Sequence, residues 1–198
     1  MENISFNTFL EGEIIDLIPS SAKYVHLYCK WMSDKKVRHF FRGPFPVIFE
    51  NMKRRFENPS DCKFKDNISF TIIHRKDQKP IGVCGLNRIN WVNQWSNAFI
   101  YIGETEYWGK DIATEAVKLI LKYGFEELNL HKISGTVSEK NIGSWKVAEK
   151  VGFIFEGIIE DDLYKDGKYI NVKRYGFFKK DWERLHHHQR GNFKDESG

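Results

Sequence analysis

The sequence predicts an α/β (α+β) fold built on a mixed, mostly antiparallel sheet of six to seven strands with about four flanking helices. Three observations carry that expectation. Three strand signals follow one another through short polar turns, one long segment has helical apolar spacing and opens at a glycine-bearing loop, and two extended segments near the C-terminus flank an Asp-Gly turn. With 198 residues, 41% of them hydrophobic, and 16 Phe, 8 Tyr and 6 Trp, the chain has enough large apolar side chains for one core. One domain is expected over residues 1–182. A disordered tail is expected over 183–198, where His186, His187 and His188 and a run of polar residues replace the apolar pattern.

Residues 12–17 read as a short strand. Ser20 and Ser21 then offer cap hydroxyls to an amphipathic helix carrying Val25, Tyr28, Trp31 and Met32. Gly43-Pro44-Phe45-Pro46 breaks structure, residues 50–57 read as a polar helix, and the span 42–66 is expected to form a mobile flap. Strands are expected at 68–74, 81–89 and 98–102, the first two joined by Lys76-Asp77-Gln78-Lys79-Pro80 and the last two turning at Asn93-Gln94. In the next segment Ile112, Ala116, Leu119, Ile120 and Tyr123 line one face of a helix running to about Glu127. Ile133, Gly135 and Val137 alternate as a strand, and a helix over 142–151 is stopped by Gly152. Residues 153–161 and 168–178 flank Lys165-Asp166-Gly167 as a hairpin.

Bulk properties exclude several classes. The net charge is +4 with Lys and Arg scattered among acidic residues, so no basic stripe marks a nucleic-acid partner. Cys29, Cys62 and Cys84 are odd in number and far apart, which fits reduced thiols and a cytoplasmic location. No basic segment followed by an apolar run opens the chain, and no apolar stretch approaches the roughly 18 residues of a membrane span, so no membrane partner is expected. His131 has no second His or Cys at ligand spacing, so no metal is expected.

The chemistry is carried by Tyr107-Trp108-Gly109-Lys110-Asp111-Ile112-Ala113-Thr114, a loop that leads directly into an amphipathic helix. Unpaired N–H groups and the positive end of the helix dipole make such a turn an anion site. Downstream, Asn141-Ile142-Gly143-Ser144-Trp145-Lys146-Val147-Ala148-Glu149-Lys150-Val151-Gly152-Phe153 stands where a second helix would flank the same cleft. In these two motifs, and in the order of its elements from about Gly12 to Trp182, the chain resembles the GNAT superfamily of N-acetyltransferases. It is most similar to the branch that includes ribosomal-protein N-terminal and polyamine acetyltransferases.

The resemblance implies a splayed central pair of strands and acetyl-CoA as co-substrate. It implies that Trp108, Gly109, Lys110, Asp111, Ile112, Ala113 and Thr114 hold the CoA pyrophosphate, and that the pantetheine arm lies beside residues 100–103 with Asn141 bonding its amides. A backbone N–H at Ile102 or Gly103 would polarise the acyl carbonyl. It also implies that C-terminal strands pair between two copies in a homodimer. The chain departs from the pattern twice. Asp111 stands where Gly or Ala is usual, placing a carboxylate near the pyrophosphate unless it turns away or pairs with Lys110. Ala148, seven residues after Asn141, replaces a tyrosine that would protonate the departing thiolate. Ser144 is the expected substitute.

Transfer to an amine with an ordinary pKa of about 10.4 needs a proton acceptor. Glu104, just after Ile102-Gly103, is the candidate base and a candidate substrate contact, with Tyr101 and Tyr164 behind it. Trp91 is the candidate acceptor-pocket wall, ahead of Trp95 and Trp108. The expected reaction is direct acetyl transfer to a primary amine of a small molecule, such as a polyamine or amino sugar, or of a protein N-terminus. The alternative is a CoA-binding regulatory module that keeps the fold without turnover, which Asp111 and Ala148 favour.

Overall fold

The structure, a computed structural model, describes residues 7–41, 45–57 and 66–190, with the side chains of 187–190 outside that set. Cys62, residues 42–44 and 58–65 of the expected flap and the end of the expected tail lie outside the described residues; of the flap, 45–57 and 66 remain. The strands are β1 (Leu10–Glu11), β2 (Ile15–Pro19), β3 (Asn67–His74), β4 (Lys79–Asn90), β5 (Trp95–Ile102), β6 (Lys132–Ser138), β7 (Ile154–Lys165) and β8 (Lys168–Phe178). The helices are α1 (Val25–Ser33), α2 (Lys35–Arg38), α3 (Phe49–Glu57), α4 (Ile112–Lys122), α5 (Ile142–Val151) and α6 (Lys179–Arg190).

One eight-stranded sheet runs in the order β1-β2-β3-β4-β5-β6-β8-β7. Every neighbouring pair is antiparallel except β5 and β6. That exception follows from the sequence between them, since parallel neighbours need a crossover and α4 supplies it. Alternation along the strands sends apolar residues to both faces. Leu17, Phe70, Ile72 and Leu86 meet Ile112, Ala116 and Ile120 of α4 on one face. Ile18, Ile73 and Val83 meet Val25, Tyr28 and Trp31 of α1 on the other.

The class matches the expectation, and the differences have local causes. The strand expected over 12–17, β2, begins at Ile15 because the N–H groups of Glu13 and Ile14 are taken by the Glu115 carboxylate of α4. The two-residue β1 then pairs with β2 as an extra strand. Ser21 stands before a 3₁₀ turn at Ala22–Tyr24 and makes no side-chain cap bond. The helix expected to reach about Glu127 does so, but its last turn is widened: Leu128 N–H donates to the Tyr123 carbonyl at 3.1 Å, and Gly124 packs against the Ile133 side chain where a Cβ would not fit. Asp166 and Gly167 both have positive φ, 49° and 76°, as the two central residues of a tight hairpin turn require.

The expected tail is helical as far as Arg190. Trp182 anchors α6, buried among Phe125 and Phe177, with its indole donating to Glu126 at 3.0 Å. Polar composition hid this helix because one buried tryptophan, rather than a repeated apolar stripe, attaches it.

Candidate active site

β5 and β6 pair only where residues 95–97 face 132–134. Beyond that point β5 stays with β4 and β6 stays with β8, so the two strands diverge at their C-terminal ends. Such a crevice, beside the carboxyl ends of parallel strands, is where open α/β sheets bind ligands. The divergence leaves one edge of β5 open. Alternation along the strand turns the backbone groups of Ala98, Ile100 and Ile102 to that edge and those of Tyr101 and Gly103 to β4. The Gly103 N–H donates to the Ile81 carbonyl at 2.8 Å, so of the two expected oxyanion donors only Ile102 faces the crevice. Gly103 is needed for close packing instead, because a Cβ there would overlap the Trp31 ring.

The expected phosphate loop stands at the end of this edge. A 3₁₀ turn at Thr105–Tyr107 is fixed by the Tyr107 hydroxyl, which donates to Asp77 at 2.6 Å, and the Trp108 indole donates back to the Ile102 carbonyl at 2.9 Å. Gly109 and Asp111 have φ of 74° and 58°, which bend the chain into α4. Gly109 does so without strain; Asp111 adopts a conformation that glycine fills more easily. The first bond within α4 is Glu115 N–H to the Asp111 carbonyl, so the N–H groups of Ile112, Ala113 and Thr114 carry the helix's unpaired positive end. Lys110 does not pair with Asp111; its ammonium lies over the Tyr107 ring at 5.3 Å. Asp111 instead accepts from Lys150 of α5 at 2.6 Å, and that bond holds its carboxyl below the usual range.

α5 closes the other side. Asn141 caps it, its Oδ1 accepting from the Ser144 N–H at 3.2 Å. The cap uses the oxygen and leaves the Asn141 amide NH₂ for a ligand carbonyl, so capping and binding are compatible. Asn141→Asp keeps the cap and removes the donor. We expect its folding free energy to stay within about 0.5 kcal/mol of wild type while CoA binds more weakly; Asn141→Ala loses about 1 kcal/mol as well. Denaturant melts paired with a CoA titration check this, and a marked loss of stability in the Asp variant would contradict it. Ser144 is half-buried in the first turn beside Asn141, and Ala148 packs against the core.

Glu104 lies at the crevice mouth but is not free. Only 8% exposed, it accepts from the Trp31 indole at 2.7 Å, from Lys30 at 2.9 Å and from Lys79 at 3.2 Å. Burial pushes its carboxyl up, but these three donors outweigh burial and hold it at about 2. An anion of that acidity is a poor acceptor for an amine proton at neutral pH. In this geometry Glu104 ties α1 to the end of β5. Sequence reasoning missed Lys30, Lys79 and Lys150, because no spacing signal links residues so far apart along the chain.

Trp91 is corrected by position. It sits in the turn before β5, at the opposite end of that strand from Ile102, roughly 25 Å away at about 3.3 Å per residue. Tyr101 and Phe99 line the α1 face beside the crevice, with Phe41 packed on Tyr101 at 5.1 Å and Phe40 on Trp108 at 5.9 Å. Burial raises the Tyr101 hydroxyl pKa. Tyr164 is exposed at the far hairpin, against Tyr169. Among the described residues no three His, Cys, Asp or Glu side chains gather as a metal site, and no helix is long and apolar enough to cross a membrane.

Residues 17–154 match the family described as the acetyltransferase (GNAT) domain. The spermidine N(1)-acetyltransferase of Escherichia coli K12 is 30% identical over 142 residues, 72% of this chain and 73% of that protein. A putative ribosomal N-acetyltransferase of Bacillus subtilis, YdaF, is 32% identical over 107 residues, 54% of this chain and 58% of that one. The spermidine N-acetyltransferase of Vibrio cholerae, solved with CoA and spermine, superimposes with a TM-score of 0.78 at 22% identity, covering 86% of this chain and 99% of that one.

Proposed function

The chain belongs to the GNAT acetyltransferase family and is an acetyl-CoA-dependent N-acetyltransferase, and from that premise we propose how its residues bind the donor and which amines it accepts. The observation that carries the proposal is the open edge of β5 ending at the bare N-terminus of α4. The Ala98 carbonyl, both backbone groups of Ile100 and the Ile102 N–H offer strand-like pairing to an extended amide-bearing chain, and residues 108–114 offer N–H groups to a diphosphate. Asn141 adds a donor from α5, and Ser144 stands in the first turn of that helix.

The Ile102 N–H, aimed into the crevice, stabilises the oxyanion that forms when the amine nitrogen attacks the thioester carbonyl. The new C–N bond replaces the C–S bond, the thiolate leaves with a proton, and the amine's proton passes to solvent rather than to Glu104. Ser144 is the proposed proton donor to the thiolate. No covalent enzyme intermediate is needed.

A small-molecule primary amine is the proposed acceptor, as the relatives' names support. The charge at the mouth restricts it further. Lys30 and Lys79 flank the buried Glu104 carboxylate there, Lys79 also pairs with the exposed Glu106, and α2 carries Lys35, Lys36 and Arg38. That rim repels a chain of ammonium groups and suits an amine carrying few other cations, set against Phe41, Phe99 and Tyr101. Thiol release with acetyl-CoA and a panel of spermidine, an amino sugar, an arylalkyl amine and a short peptide tests this. We expect the amines with one cation to exceed spermidine in kcat/KM; a preference for spermidine would overturn the charge argument. Acetylation of the peptide alone would move the acceptor to a protein N-terminus.

A further inference from the structure

Resting on acetyl-CoA as the donor, we infer that the indole N–H of Trp145 is a hydrogen-bond donor to an amide carbonyl of the pantetheine arm. Trp145 Nε1 is buried and has no hydrogen-bond partner among the described residues. The indoles of Trp31, Trp95, Trp108 and Trp182 each donate to a protein oxygen. Buried donors are rarely left unpaired, because water has been removed and nothing has replaced it.

The location says what the missing acceptor is. Trp145 lies four residues after Asn141 and three before Ala148, on one stripe of α5. The Lys173 ammonium sits over its ring at 4.0 Å, and one turn on, Glu149 accepts from the Tyr175 hydroxyl at 2.9 Å. In register, Lys173 and Tyr175 stand beside Val137 and Gly135 of β6. The ring therefore lies over the part of β6 that has separated from β5. At Gly135 a Cβ would meet nothing within 4 Å, so β6 is uncovered at that position.

A ligand entering here meets the Ile100 and Ile102 backbone on one wall and Asn141 and Trp145 donors on the other. A narrow chain of secondary amides matches both walls: its N–H groups and carbonyls pair with β5, and a carbonyl on its far side takes the indole proton. Lys173 fixes the ring plane so that the N–H keeps its direction.

The test is a CoA titration of wild-type protein carrying ¹⁵N-labelled tryptophan, with the Trp145 indole signal identified by its loss in Trp145→Phe. We expect that signal to move downfield and its exchange with water to slow as CoA saturates. The Phe variant is expected to bind CoA roughly two- to tenfold more weakly without unfolding earlier on heating. If CoA saturates the wild type while the Trp145 signal stays in place, or if the Phe variant binds as tightly, the inference is overturned. A wild type that binds no CoA would instead remove the donor assignment on which it rests, a different and separately visible result.

Discussion

Glu104→Gln is expected to lose about 2–3 kcal/mol of folding free energy at pH 7 and almost none near pH 2. The carboxyl is depressed from an ordinary value of 4.5 to about 2 in the folded protein. At about 1.36 kcal/mol per pH unit that gap is about 3 kcal/mol. A depressed acid favours folding wherever the unfolded chain has already lost its proton. The contribution is therefore complete above about pH 4.5 and disappears as the pH falls toward 2. The amide retains an acceptor for the Trp31 indole but leaves Lys30 and Lys79 without their shared anion, so the variant reports the charge rather than the shape. Denaturant melts at the two pH values check this. Equal losses at both would mean that Glu104 acts by packing alone. The same variant bears on catalysis: since Glu104 is already ionised at every working pH, the acid limb of kcat/KM should stay where it is in wild type. A displaced limb would restore the carboxylate as base.

Asp111→Gly is expected to tighten CoA binding roughly three- to tenfold at low salt, with the gain shrinking as ionic strength rises. Two effects act in the same direction. The left-handed backbone at φ 58° suits glycine better than aspartate, and removal of the carboxylate takes a negative charge from the turn proposed to hold the diphosphate. The ion pair with Lys150 modifies this without reversing it. In wild type Lys150 is held by Asp111 at 2.6 Å, and in the variant its ammonium is released beside the helix N-terminus, where a phosphate replaces the lost partner. Calorimetric titration at two salt concentrations distinguishes the outcomes. Weaker binding in the variant would mean that Asp111 serves chiefly to place Lys150.

Much of this arrangement was legible in the residues. The strands around 68–74 and 81–89 and the helix from Ile112 follow from period-two and period-3.6 patterns, which burial on one or two faces imposes directly. The turn at 107–114 into α4 was legible because a glycine precedes an amphipathic apolar pattern there. What stayed hidden depends on contacts between distant residues. The pattern around Glu104 predicts an exposed carboxylate at a strand end. Only the folded chain brings Trp31 from α1 and Lys79 from the start of β4 onto it, which gives that carboxylate an anchoring role. Trp91 was misplaced because apolar spacing gives the strand but not which end carries the crevice. That depends on where β5 leaves β6, a matter of pairing rather than composition. Asp111 drew attention as a misfit, and its partner proved to lie on another helix rather than next to it in the chain.

The central claim is that the open edge of β5 receives the acetyl donor. Amide hydrogen exchange, followed residue by residue with and without acetyl-CoA, tests it most directly. The N–H groups of Ile100 and Ile102 should exchange more slowly once the donor is bound, with Gly103 nearly unchanged because its N–H is already committed to Ile81. Saturating acetyl-CoA that protects neither of the two would place the donor elsewhere and contradict the claim.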